Sequence, residues 1–360
     1  MPRNAFAAVA LIATAVFACT NRRIAVGSPN GSGAEVKSIT PAPGESHLTN
    51  IRQLTYGGEN AEAYFSPDGR WLIFQSTRDG RSCDQEYIMR AADGSALHRV
   101  SYGTGKTTCG YFFDNGRRIL YASTHAADTT CPPRPDPSRG YVWRLDPYDI
   151  YTANADGSNR HRLTSYGIYT AEATLSPDGR SLVFTSLKDG DLDIYTMNVD
   201  GTDVRRLTNA PGYDGGAFFS PDGKQIVYRA WHPSGDSLRA YQGLLKQGLV
   251  RPNRMEIWVM NADGSEQRQV TNLGGANFAP FYTPDGKRII FSSNYKNPRS
   301  RNFDLYLVNL DGSGLEQVTT DTEFDGFPMF SPDGRQLVWA SNRHAPHPGG
   351  TDIFIADWSP

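Results

Sequence analysis

The sequence predicts an all-β fold: a six-bladed β-propeller of four-stranded blades, with the last blade closed by an N-terminal strand. Three observations predict it. A Ser-Pro-Asp-Gly-type turn occurs six times, with one degenerate copy, and an Asp-Gly turn occurs five times. Where no insertion intervenes, the two recur in units of about 45 residues, the size of a propeller blade. The 360 residues carry Gly 36 and Pro 23, a supply of turn formers that suits many short strands.

Composition narrows the function classes. The formal net charge is −2 and there is no long basic run, so nucleic acid is not expected as a partner. Beyond the first twenty residues no apolar stretch is long enough to cross a bilayer.

In chain order, Met1-Pro2-Arg3-Asn4 is a short basic start and Ala5 to Phe17 an unbroken small-apolar run, the pattern of a secretory signal over residues 1–18. Val16-Phe17-Ala18-Cys19 resembles a bacterial lipobox, with Phe17 where a smaller residue is usual. That resemblance implies lipidation of Cys19; simple cleavage near Ala18 is the alternative. Residues 19–47 are rich in Gly, Ser, Pro and Asn without apolar periodicity, and are expected to be a flexible tether. The propeller is expected over 48–360.

Within each unit the order of elements repeats. The first turn is Ser66-Pro67-Asp68-Gly69, with further copies at 176–179, 220–223, 283–286 and 331–334 and a degenerate one at Phe113-Asp114-Asn115-Gly116. A base and an apolar run follow, as in Arg70-Trp71-Leu72-Ile73-Phe74, which fits a strand covered on both faces. A third strand opens on an acid (Glu86, Asp149, Asp193, Glu256, Asp304, Asp352), and the recurrence marks that acid as structural. The Asp-Gly turn and a short strand ending Arg-x-Leu/Val-Thr/Ser complete the unit. The sixth unit stops at Asp357-Trp358, and its missing fourth strand is read at Ile51-Arg52-Gln53-Leu54-Thr55, which closes the ring and removes an exposed edge.

The Ser-Pro-Asp-Gly and Asn-x-Asp-Gly-Ser repeats resemble those of the TolB-like propeller family over residues 51 to 358. Only a tether precedes the first blade, so the chain is expected to be a stand-alone propeller and not TolB itself. The resemblance implies a periplasmic protein- or peptide-binding scaffold with an envelope protein as partner; separately, the chain is expected to be monomeric and to meet the outer membrane only through lipid on Cys19. Shared fold does not carry shared function.

Residues that break the repeat are the functional candidates. Blade 2 carries an insertion at 126–147, and blade 4 one at 233–254, where Leu238, Tyr241, Leu244, Leu245 and Leu249 predict a short amphipathic helix. Both are expected over one mouth of the central channel. Counting back eight from each turn Asp or Asn gives Asn60, Thr107, Thr170, Asp214, Asn277 and Asp325; counting back six gives Glu62, Cys109, Glu172, Gly216, Ala279 and Phe327. The expected ligand-binding set is Glu62, Glu172, Asp214, Asn277 and Asp325 with Tyr213, His125 and His232. An acidic mouth of that kind favours a cation, an amine or a basic peptide.

His125 and His232 with Glu62 or Asp214 are the one candidate metal set, and neither a metal nor a cofactor is expected. In an oxidising compartment one disulfide is expected from Cys83, Cys109 and Cys131, with Cys109–Cys131 the preferred pair because it pins the blade 2 insertion. No Gly-x-Ser-x-Gly, His-Glu-x-x-His or phosphate-binding loop occurs, so a binding module is expected in preference to an enzyme. The alternatives are a periplasmic lyase or hydrolase acting at the mouth, for which oligogalacturonate lyases with related repeats are the precedent, and an accessory propeller of a peptidase or transporter.

Overall fold

The computed structural model describes residues 36–101, 103–345 and 349–360. The leader and Cys19 lie outside them. The described residues form six antiparallel sheets, one per blade, and a separate two-stranded ribbon. Blade 1 runs Asn60–Phe65, Trp71–Ser76, Gln85–Arg90 and His98–Arg99 from the axis outward, and the others repeat this order. Among the described residues no helix is long and apolar enough to cross a membrane.

Each recurring motif has a physical task. In the first turn, Gly69 N–H donates to the Ser66 carbonyl at 2.8 Å, the Ser66 hydroxyl donates to Asp68 at 2.6 Å, and Trp71 N–H donates to that hydroxyl at 3.0 Å. Side chain and backbone thus close the hairpin together. Blade 2 lacks the Ser and Pro and closes with Asp114 and Asn115 both left-handed, at φ 51° and 55°. The Asp-Gly turn needs its glycine twice over. Gly94 has φ +66°, and a Cβ there would lie 2.5 Å from the Leu54 carbonyl oxygen of the preceding blade. Gly312 meets the Val270 carbonyl at the same distance.

The terminal Thr of the fourth strand ties that strand to the acid of the third. Thr164, Thr208, Thr271 and Thr55 donate to Asp149, Asp193, Glu256 and Asp352 at 3.1, 3.3, 2.6 and 2.8 Å. Blade 1 departs from the reading of Glu86 as its acid. Register places Gln85 opposite Ser76, where Asp149 faces Ser123, and Ser101 donates to Gln85 at 2.9 Å. Glu86 sits one residue on, at the buried position held elsewhere by Ile150, Ile194, Ile257, Leu305 and Ile353.

The ring closes as expected. Leu48–Gln53 pairs with Asp352–Trp358, with Leu48 and Ile51 fully buried. The tether, however, does not run to residue 47. Lys37–Ile39 pairs with Leu48–Gln53 as a fifth strand on blade 6, His47 stacks on Trp358 at 4.7 Å, and Glu45 is buried against Arg343. Edge pairing and a buried ion pair order this stretch, and neither leaves an apolar period to read.

The axis is filled below the mouth. Tyr64 and Phe218 come from blades 1 and 4, opposite one another, yet their rings lie 5.7 Å apart. Tyr111 and Phe281 join them at 5.7 Å from Tyr64 and 5.2 Å from Phe218. The mouth therefore opens into a blind cavity rather than a pore.

Candidate functional site

Both insertions rise beside this mouth, and they are joined. The ribbon pairs Trp143–Arg144 of the blade 2 insertion with Leu249–Val250 of the blade 4 insertion. Leu145 N–H donates to the Gly248 carbonyl at 2.8 Å, and Arg251 donates to the Arg139 carbonyl at 2.9 Å. The expected helix forms over Gly235–Leu245. It is seated by Tyr241, which is buried and donates to Asp191 and the Gly212 carbonyl at 2.5 and 2.7 Å.

The floor of the cavity is set by one backbone device repeated six times. Glu62, Cys109, Glu172, Gly216, Ala279 and Phe327 all have positive φ, between 51° and 62°. Each sits in a β-bulge of its innermost strand, as between Ala61 and Tyr64. Neighbouring blades satisfy the freed N–H groups: Cys109 N–H donates to Gln75 at 3.2 Å, Gly216 to Thr185 at 3.2 Å and Phe327 to Ser292 at 3.2 Å. Left-handed backbone outside glycine costs about 1–2 kcal/mol per residue, so a tight ring is stabilised here against local preference.

The bulge separates the two sets of residues that the sequence placed together at the mouth. Of the positions six before the turn, Glu62, Cys109, Glu172 and Phe327 line the cavity, but those eight before it turn into the seams between strands. Asp214 is buried and accepts from His232 at 3.0 Å. Asn277 donates to the Met255 carbonyl and Glu256 at 2.9 and 3.1 Å, and Asp325 is held by Arg343 and Trp339. Asp214, Asn277 and Asp325 therefore do not line the cavity, because counting residues by twos across a bulge assigns the wrong face.

The histidines are displaced as well. His125 packs on Tyr151 at 4.5 Å with Nδ1 against Ser123, in a shallow outer pocket beside Arg162. Burial and the charges of Arg160 and Arg162 lower its pKa. His232 lies in a second outer pocket against Trp258 at 4.9 Å. Burial disfavours its charge, but Asp214 outweighs this and raises its pKa. Neither shares the cavity with Glu62, and among the described residues no group of three or more His, Cys, Asp or Glu is placed to hold a metal.

Glu62, Glu172 and Tyr213 do come together, around a residue that the sequence reading passed over. Arg229 is buried, ion-pairs with Glu172, donates to the Tyr213 hydroxyl at 2.7 Å, and lies 5.2 Å from the Trp143 ring. Its signal was an arginine inside the apolar run Ile226 to Ala230. Cys109 contributes as well, its buried side chain lining the cavity beside Glu62. The cavity has a volume of about 910 Å³. One wall is aromatic, with Trp143 6.3 Å from Phe278, and Phe278 4.9 Å from Phe303 and 5.6 Å from Phe327.

The charge of the lining is opposite to expectation. Seven basic side chains face five acidic ones. Glu59, Asp84, Asp146 and Glu172 are each paired, with Arg134, Lys106, Arg144 and Arg229. Arg251, Arg299 and Arg301 have no carboxylate partner among the described residues, and Glu62 is the one acid left without a cation.

Burial, with the Glu172 charge nearby, pushes the Glu62 carboxyl up to about 7, and the Cys109 hydrogen bond and the Arg229 charge only partly offset this. In the unfolded chain the group titrates near 4.5. Its favourable contribution is therefore complete below that pH and is lost as pH rises through about 7. Thermal unfolding of Glu62→Gln should match wild type in acid and gain on it across this window. A difference that stays flat with pH would show that Glu62 does not titrate there.

The fold and the cavity define a class: a six-bladed β-propeller whose mouth opens into a blind cavity beside two joined insertions. Residues 142–240 and 249–359 match the family model of the TolB beta propeller domain, and the chain belongs to that family. A putative TolB from Agrobacterium tumefaciens is similar at 19% identity, over 84% of this chain and 91% of that one, with a TM-score of 0.56. A gluconolactonase from Xanthomonas campestris is similar at 14% identity, over 91% and 95%, with a TM-score of 0.58. An oligogalacturonate lyase in complex with manganese is similar at 15% identity, over 90% and 96%, with a TM-score of 0.52. These likenesses show the fold. No curated protein matches the chain.

Proposed function

We propose that the chain is a binding scaffold of the cell envelope that takes an acidic peptide segment of a partner protein into the mouth cavity. The observation that carries this reading is the set of basic side chains left over at the mouth: Arg251, Arg299 and Arg301 stand beside an aromatic wall with no carboxylate to neutralise them. A carboxylate side chain docked there gains charge-assisted hydrogen bonds, while its neighbours bury against Trp143 and Phe278. A basic peptide would meet like charge. In this proposal the leader exports the chain to the periplasm, and lipid on Cys19 holds it at the outer membrane.

The test uses the full chain and two fluorescent peptides of equal length, one rich in Asp, Glu and Trp and the other with Lys replacing the acids. Anisotropy should show the acidic peptide bound more tightly, with affinity falling as salt rises. Arg299→Glu with Arg301→Glu should weaken it about tenfold or more. Preference for the basic peptide, or no effect of the double reversal, would sink the reading.

A further inference from the structure

We propose that Cys83 and Cys131 form an intramolecular disulfide that fastens the blade 2 insertion to blade 1 at the edge of the mouth cavity. The pair differs from the Cys109–Cys131 bridge expected from the sequence. Cys109 is buried in the cavity floor, its thiol 3.3 Å from the Thr108 hydroxyl. Cys83 and Cys131 are instead half-buried, both line the cavity, and the Cys131 side chain is near enough to act on the Cys83 thiol.

The backbone around them explains the meeting. The Cys83 thiol donates to the Gly105 carbonyl at 3.4 Å, and Gly105 N–H donates to the Thr129 carbonyl at 2.7 Å. Gly105 thus draws the blade 1 loop and the start of the insertion to the same point, two residues before Cys131. Across this junction Arg134 also pairs with Glu59 at 2.5 Å, but both are exposed, and such a pair contributes little. A covalent link would change how firmly this wall is held.

The chemistry is thiol–disulfide exchange with a low-molecular-weight or protein disulfide as oxidant. In the proposed order Cys131 attacks the oxidant first. Its thiolate displaces one thiol from the oxidant, forming a mixed disulfide. The Cys83 sulfur then displaces the second thiol. Two electrons pass to the oxidant, and the two protons leave the cysteines for its two released thiols.

The experiment treats purified full chain with oxidised glutathione and maps the linked peptides by mass spectrometry. Expected are a Cys83–Cys131 cross-linked peptide two hydrogens lighter than its parts, a Cys109 thiol that is alkylated only after denaturation, and tryptic cleavage at Arg139 slowed about tenfold. Cys83→Ser and Cys131→Ser should each abolish the slowing, while Cys109→Ser should leave it intact. A bridge that includes Cys109, or three cysteines that all stay alkylatable, would overturn the pairing. A Cys83–Cys131 bridge that leaves the tryptic rate unchanged would overturn the clamp.

Discussion

Replacing Arg343 with Ala should lower the stability of the fold by about 3–5 kcal/mol, the largest loss expected from any single polar change in this chain. Its side chain is 2% exposed. The guanidinium donates to Glu45 at 3.1 and 2.5 Å and to Asp325 at 3.2 and 2.7 Å, and lies 5.8 Å from the Trp339 ring. Asp325 belongs to the innermost strand of blade 6, and Glu45 to the segment that leads into the closing strand. One cation therefore holds the two ends of the ring together. Without it, two buried carboxylates face each other with no counter-charge, and either must take up a proton or the N-terminal segment must leave.

Urea unfolding followed by circular dichroism measures the loss. Its pH dependence separates this account from one based on packing alone, because burial raises the Asp325 carboxyl and the deficit should shrink as acid neutralises it. Proteolysis ahead of residue 48 should also accelerate. A loss below about 1 kcal/mol, or one independent of pH, would mean that the triad does not latch the ring.

Replacing Glu86 with Ile should have the opposite sign and stabilise the chain by about 1–3 kcal/mol at neutral pH. Glu86 occupies the interior position where five other blades carry Ile or Leu, and neither carboxyl oxygen has a hydrogen-bond partner among the described residues. Gly110 makes room for it: a Cβ there would lie 2.4 Å from Glu86 Oε2. Burial, reinforced by the Glu62 and Asp84 charges, holds the carboxyl well above its ordinary range. The folded state thus retains a proton that the unfolded chain releases above about 4.5, and stability is lost as pH rises. The advantage of Glu86→Ile should therefore widen from acid to alkaline pH. A variant less stable than wild type above pH 7 would show that Glu86 has a stabilising partner.

What the sequence by itself determined is the periodic part of the molecule. Turn chemistry, strand period and spacing are local and repeat six times, so six blades and the closing strand were legible from residues such as Ser66-Pro67-Asp68-Gly69 and Ile51-Arg52-Gln53-Leu54-Thr55. The insertions and the helix in the second of them were legible too, because each breaks that period. What lay beyond reading depended on partners far apart in the chain. A left-handed bulge, invisible as a motif, swung Glu62 and Glu172 into the cavity and Asp214 and Asp325 out of it. A one-residue shift in blade 1 put Gln85 where an acid was expected.

Only the tertiary structure decided the sign of the mouth's charge, since that depends on which acids are already neutralised by Arg229, Arg134, Arg144 and Lys106. It likewise decided which cysteines meet, because Gly105 brings Cys83 to the start of the insertion while Cys109 is turned into the floor. The physical reason is the same in each case. Backbone preference acts over a few residues and repeats with the blade, whereas ion pairing and side-chain direction are settled by whatever the closed ring brings within a few ångströms.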